Sequence, residues 1–122
     1  MNKFELASSA AIIEGIVHVS SAGGHNVAIT RVNGTVYAFE NKCPHMGLSL
    51  ARGKISGGAI TCPFHGSRFE ICSGKNLDWV NSVMGAEMPG WSHKVLAMGK
   101  PPADLKTIAV TERDGKVFAE LL

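Results

Sequence analysis

The sequence predicts an all-β fold of short antiparallel strands, and three observations carry that expectation. Gly is abundant, at 14 of 122 residues, while aromatics make up only 7%. Many glycines among scattered β-branched residues favour short strands and tight turns over long helices. Asn33-Gly34 and Asp114-Gly115 each stand between two β-rich runs. Such a dipeptide is the strongest short hairpin signal, because both central residues of a type I′ turn need positive φ. Finally, Arg68–Ile71 and Leu105–Thr111 alternate polar and apolar side chains, as half-buried strands do.

Taken in order, Phe4-Glu5-Leu6-Ala7 reads as a short first strand. Ile16–Val19 and Asn26–Val32 are rich in β-branched residues and are separated by the turn-like Ala22-Gly23-Gly24. Asn33-Gly34 then turns the chain into Thr35–Phe39. A loop, Cys43–Leu50, leaves the end of that hairpin. Ala59-Ile60-Thr61 is a brief strand leading into a second loop, and Arg68–Ile71 leads out of it, ended by Ser73-Gly74. Asp114-Gly115 turns Leu105–Thr111 into Lys116–Leu121. Between lies an excursion, Lys75 to Asp104, in which Leu77–Met84 reads as one or two helical turns. Lys100-Pro101-Pro102 blocks a helix and favours an extended entry to the last hairpin. A surface excursion packing Trp79 and Trp91 on the β-core is favoured over a partner-docking flap, because a long ordered loop needs apolar anchors.

Composition bounds the function. A chain of 122 residues implies a single domain, 1–122, with one modest core. Hydrophobic content of 45% and charged content of 18% belong to a folded protein. A net charge of +2, with no basic stripe interleaved with aromatics, argues against nucleic acid. No segment approaches the ~18 apolar residues of a membrane span, and Ala10–Ile13 is too short for a secretory core. With two of the three cysteines assigned to a site, Cys72 cannot form an internal disulfide, which suits a reducing compartment. A soluble, cytoplasmic protein is therefore expected. Cys72 itself reads as a buried small hydrophobe, with redox sensing as the lesser reading.

The chemistry lies in two boxes, Cys43-Pro44-His45 and Cys62-Pro63-Phe64-His65. Each supplies one thiol and one imidazole, and sixteen residues separate His45 from Cys62, enough to bring two loop tips to one point. Pro after each Cys stiffens the backbone. Gly47 and Gly66 allow a tight reversal where a metal centre approaches the main chain. Two sulfur and two nitrogen ligands are the set of a [2Fe–2S] cluster in which two histidines replace two cysteines on one iron. A zinc site is the alternative, but zinc sites usually pair Cys with Cys and His with His. A Cys/His nucleophile pair would leave the second box unexplained. The isolated His18, His25 and His93 read as surface or packing residues.

The double box resembles the Rieske family of iron–sulfur proteins. The resemblance runs from Lys42 to Gly74 through Cys43-Pro44-His45-Met46-Gly47, Ser49-Leu50, Gly53, Cys62-Pro63-Phe64-His65-Gly66-Ser67-Arg68-Phe69 and Ser73-Gly74. It is weaker in the N-terminal strands and the last hairpin, and the excursion (about 75–104) is longer than in small members. The resemblance implies small antiparallel β-sheets with a cluster-binding sub-domain of two loops, about residues 42–74. It implies one [2Fe–2S] cluster per chain, with Cys43 and Cys62 on one iron and His45 and His65 on the other, and with Gly47, Gly66 and Ser67 around them. The respiratory members carry an extra disulfide-forming Cys in each box, where this chain has Leu48 and Phe64. They also have a Tyr where it has Phe69. Ser67 is expected to donate toward a bridging sulfide. Loss of the Tyr hydroxyl is expected to lower the potential, because hydrogen bonds to cluster sulfurs stabilise the reduced state.

By that resemblance the chain is a ferredoxin. It would take one electron from a flavin-containing reductase and pass it to a terminal ring-hydroxylating oxygenase, docking transiently at the cluster tip. It is too short to hold the oxygenase's catalytic iron domain and lacks a dinucleotide fingerprint, so it is expected to be a carrier and not an enzyme. Met46, Leu48, Pro63 and Phe64 would form an apolar collar. Lys42, Arg52, Lys54, Arg68 and Lys75 flank the boxes, as a solvated face or as a ring that steers an acidic partner. The alternatives are a small Rieske-like subunit of a nitrite reductase and, from another class, a zinc-stabilised adaptor.

Overall fold

A computed structural model describes residues 2–44, 47, 49–64, 66–79, 82–83, 86–87 and 103–121. Thirteen strands are described: β1 (Asn2–Ser8), β2 (His18–Ala22), β3 (His25–Val32), β4 (Thr35–Glu40), β5 (Lys54–Ser56), β6 (Ala59–Thr61), β7 (Arg68–Glu70), β8 (Asn76–Asp78), β9 (Ser82–Val83), β10 (Ala86–Glu87), β11 (Thr107–Ile108), β12 (Val110–Arg113) and β13 (Lys116–Leu121). The only helical turn among the described residues is a short 3-10 segment, Ser9–Ala11.

Four antiparallel sheets result, ordered β1-β13-β12, β11-β4-β3-β2, β5-β6-β7-β8 and β10-β9. The expected all-β fold of small antiparallel sheets is what the chain forms. Turn chemistry sets most of it. Gly23-Gly24, Asn33-Gly34, Gly57-Gly58 and Asp114-Gly115 all have positive φ at both residues, and each closes a two-residue hairpin. That backbone matches the right-handed twist of the flanking strands. The Gly57-Gly58 hairpin was not anticipated from the sequence, although its glycine pair was the available signal.

The sheet β11-β4-β3-β2 lies between two cores. Ile29 pairs with Ala38, and Ala28 pairs with Phe39, in neighbouring registers of β3 and β4. The first pair joins a core with Leu6, Val27, Val36, Val117 and Ala119 beneath the β1-β13-β12 sheet. The second pair faces the opposite way, into a core with Leu50, Ile60, Phe69, Ile71 and Leu105. Two-sided burial explains why Val27–Thr30 is an unbroken buried run rather than an alternating one. Thr30 is buried within it, and its hydroxyl donates to the Ile16 carbonyl at 2.9 Å.

Two expectations are corrected. The expected alternating strand Leu105–Thr111 is broken at Ala109: β11 pairs with β4, and β12 pairs with β13. One run therefore ties two sheets together. The helical turns expected over Leu77–Met84 are not formed where the chain is described, since Leu77 and Asp78 belong to β8 and Ser82–Val83 is β9; Val80, Asn81 and Met84 lie outside the described residues. β7 offers an open edge, and pairing Asn76 with Phe69 and Asp78 with Arg68 satisfies backbone groups there. Tertiary pairing of this kind outweighs a weak local helix preference. The intervening Leu77 is bulged and stays 43% exposed. The excursion leaves and returns at one place: the Leu105 N–H donates to the Gly74 carbonyl at 2.7 Å, and the Asn76 N–H donates to Asp104 Oδ1 at 2.8 Å. Trp79 packs on the second core as expected; Trp91 lies outside the described residues.

Candidate metal centre

The two cysteine loops leave the sheets differently. The second is a hairpin loop between β6 and β7, whose last strand pair is Thr61 with Arg68. The Cys62 N–H donates to the Ser67 carbonyl at 2.8 Å and seals it. The first bridges β4 and β5 and belongs to no hairpin, so it needs other supports. Leu50 supplies one by burying completely in the second core. Asn41 supplies another. Its Oδ1 accepts from the Leu50 N–H at 2.8 Å, and its Nδ2 donates to Asn26 Oδ1 at 2.9 Å and to Ser49 Oγ at 3.0 Å. Ser49 Oγ in turn accepts from the Ala51 N–H at 3.2 Å.

Despite these different settings the loops close in the same way. The Gly47 N–H donates to the Cys43 carbonyl at 2.7 Å, and the Gly66 N–H donates to the Cys62 carbonyl at 3.1 Å. Each glycine sits four residues after its cysteine with φ of +72° and +80° respectively. Left-handed backbone costs an L-residue roughly 1–2 kcal/mol, which is why glycine stands at both closures. Both loops thus have five residues from Cys to Gly, with His third in one and fourth in the other.

Cys43 and Cys62 are both buried, at 3% and 2% exposure, and both belong to the second core. Ser67 and Gly66 are buried, and Gly47 is exposed. His45 and His65 lie outside the described residues, as do Met46 and Leu48 of the expected collar. Pro63 and Phe64 are half-buried, and Phe64 packs on the second core. Phe69 is fully buried in the core that holds both cysteines.

Cys72 departs from expectation. It is exposed, on the turn after β7, where its side chain acts on the Tyr37 hydroxyl. The neighbouring Cys72 side chain, with burial adding to it, raises Tyr37 above the usual tyrosine range. The expectation rested on the usual burial of free cysteine, whereas β7 ends at Glu70 and the turn that follows buries Ile71 and leaves Cys72 outside.

The Rieske [2Fe-2S] domain pattern matches residues 2–87. The chain belongs to the Rieske family. A single [2Fe–2S] cluster is the cofactor of that domain, and the residues present fit it: two loops of equal length each deliver a buried thiol to one core. The ferredoxin component of the naphthalene 1,2-dioxygenase system of Pseudomonas putida is 38% identical over 66 residues, covering 54% of this chain and 64% of that protein. Cholesterol 7-desaturase of Hemicentrotus pulcherrimus is 33% identical over 115 residues, covering 93% of this chain but 22% of the desaturase. This Rieske chain therefore spans less than two thirds of either relative. Among solved structures, the Sphingomonas yanoikuyae B1 ferredoxin superposes with a TM-score of 0.73 at 26% identity, covering 99% of this chain and 100% of that one.

Proposed function

We propose that this Rieske domain, extending over residues 1–122 with its cluster-binding part at about 42–74, is a one-electron carrier. In this reading Cys43 and Cys62 hold one iron and His45 and His65 the other, through neutral imidazole nitrogens. The observation that carries it is the matched closure of the two loops, each burying its cysteine in the same core. The cluster supplies reversible one-electron storage when bound. The chain's own residues do the rest. Gly47 and Gly66 let the main chain turn close to the metals, and Asn41 and Leu50 hold the first loop in place. Phe64 and Phe69 keep water from the thiolate side, and Ser67 stands next to the second loop's closure as a candidate donor to a bridging sulfide.

The electron would come from a flavin-containing reductase and pass to a terminal oxygenase. Support comes from the resemblance to a relative described as a dioxygenase ferredoxin component. Such encounters are small, below about 1,200 Å², which lets one carrier serve two partners in turn, itself catalysing nothing. The longer match to cholesterol 7-desaturase favours a second reading, a Rieske unit working inside a larger oxidoreductase. The test is reconstitution followed by iron and acid-labile sulfide analysis, visible spectra and reduction by a flavoprotein reductase. His45→Ala and His65→Ala are expected to abolish the normal cluster spectrum. Unchanged spectra would refute the ligand assignment, and a colourless protein binding zinc would replace the carrier by an adaptor.

A further inference from the structure

Charge is unevenly shared along this chain. Residues 42–79 carry five cations, Lys42, Arg52, Lys54, Arg68 and Lys75, against two anions, Glu70 and Asp78. The remainder carries seven cations against eight anions. The whole of the chain's positive excess therefore belongs to the segment bearing the two loops.

The fold places Lys42, Lys54 and Arg68 beside the loops, and Arg52 stands in the turn that closes after the first loop, where the Gly53 N–H donates to the Leu50 carbonyl. Lys54, Thr61 and Arg68 are register partners across β5, β6 and β7, so their side chains share one face. Thr61 immediately precedes Cys62. Ile55, Ile60 and Phe69 form the next row and point the other way, Ile60 and Phe69 into the core. Lys54 and Arg68 are thus exposed at the end of the sheet from which the second loop springs. Glu70 shares their face two residues further from the loop, where it accepts a hydrogen bond from Ser73 at 2.6 Å. Asp78 stands in register with Arg68.

Lys42 brings charge to the first loop. Its stem crosses Gly47, so that a Cβ built there would lie 3.2 Å from Lys42 Cε. Lys42 lines a cleft with Cys43, Pro44 and Gly47. The acidic groups of that cleft are Glu40, which faces Lys106 at 3.6 Å, and Asp104, which is bonded to the Asn76 N–H. Lys42, Arg52 and Lys54 are exposed, and none has an ion-pair partner among the described residues.

We propose that the loop-bearing end of this protein docks on a protein partner whose own docking surface is acidic, with Lys42, Arg52, Lys54 and Arg68 as the steering charges. The inference rests on the carrier reading and adds to it the chemistry of the partner's surface. Charges placed around an electron exit raise the encounter rate with an opposite surface and let the complex separate quickly, and both effects weaken with salt.

The experiment uses the reduced holoprotein and two outer-sphere oxidants of opposite charge, hexacyanoferrate(III) and tris(phenanthroline)cobalt(III). Each accepts one electron from the protein, the first becoming hexacyanoferrate(II) and the second the cobalt(II) complex. Salt is raised from about 0.01 M to about 1 M, shrinking the Debye length from about 30 Å to about 3 Å. Oxidation by the anion is expected to slow by about tenfold or more over that range, and oxidation by the cation to hold or quicken. Arg52→Glu with Lys54→Glu should reverse the order. As an independent readout, poly-glutamate should shift the backbone amide resonances of Lys42, Arg52, Lys54 and Arg68 and leave those of the last hairpin in place. Equal salt responses for both oxidants would overturn the proposal, as would retention on phosphatidylglycerol vesicles at about 0.15 M salt, which assigns the face to a membrane. A protein without a reducible cluster would fail at the first spectrum, and the carrier reading would fall with it.

Discussion

Asn41 is the residue whose removal should loosen the first loop without touching a proposed ligand. Asn41→Ala deletes the acceptor for the Leu50 N–H, a 2.8 Å bond. Leu50 is fully buried and its bond to Asn41 is part-buried, so water replaces the acceptor only poorly, and a donor left short of its partner costs about 1–3 kcal/mol. The bonds to Asn26 and Ser49 are exposed and add about 0.5 kcal/mol each, the low end for hydrogen bonds in water. A total of about 2–4 kcal/mol follows. Asn41→Asp keeps an oxygen for Leu50, and rotating the Asn26 amide by half a turn restores the lost donor. That variant should cost about 1 kcal/mol or less. Urea melts of the reduced-metal-free and cluster-loaded proteins, read by far-UV and visible circular dichroism, measure both. If Asn41→Ala melts within about 0.5 kcal/mol of the parent, or Asn41→Asp is the worse of the two, the clasp does not hold the loop.

Arg31 spends all five of its N–H groups, on the carbonyls of Ile12, Ser9 and Gly34 and twice on Glu112; Arg31→Lys loses the fork and should lower stability by about 2 kcal/mol in a denaturant melt, an unchanged midpoint arguing against it. Arg31 holds the Glu112 carboxyl below its usual range, so this pair stabilises the fold above about pH 4.3 and the effect fades as pH falls through the lowered value; Glu112→Gln should flatten the acid limb of a melting-temperature profile, and an identical limb would count against the pair. Gly47→Ala, at φ of +72°, should cost about 1–2 kcal/mol and Gly47→Asn visibly less, with equal melts contradicting the left-handed closure. The reduction potential should fall near the low end of the roughly −150 to +300 mV Rieske span, since Phe69 offers no hydroxyl to a cluster sulfur; a strongly positive midpoint in a redox titration would refute that.

What could be read from the chain alone were the features that act over a few residues. Asn33-Gly34 and Asp114-Gly115 demand a tight reversal wherever they stand, because their backbone preference is local. The two boxes likewise carry the family resemblance through residue type and spacing, and the domain match over residues 2–87 agrees with it. Tertiary structure decided the rest, because two- and three-residue strands such as β5, β8 and β11 have almost no preference of their own and exist only where a neighbour offers an open edge. Only the fold shows that Leu50 needs Asn41, that Arg31 reaches Glu112 across 81 positions, and that Cys72 meets Tyr37 at the surface. It also brings Lys54 and Arg68 into one row beside the second loop, an arrangement that depends on strand register and that no count of charges along the sequence could reveal.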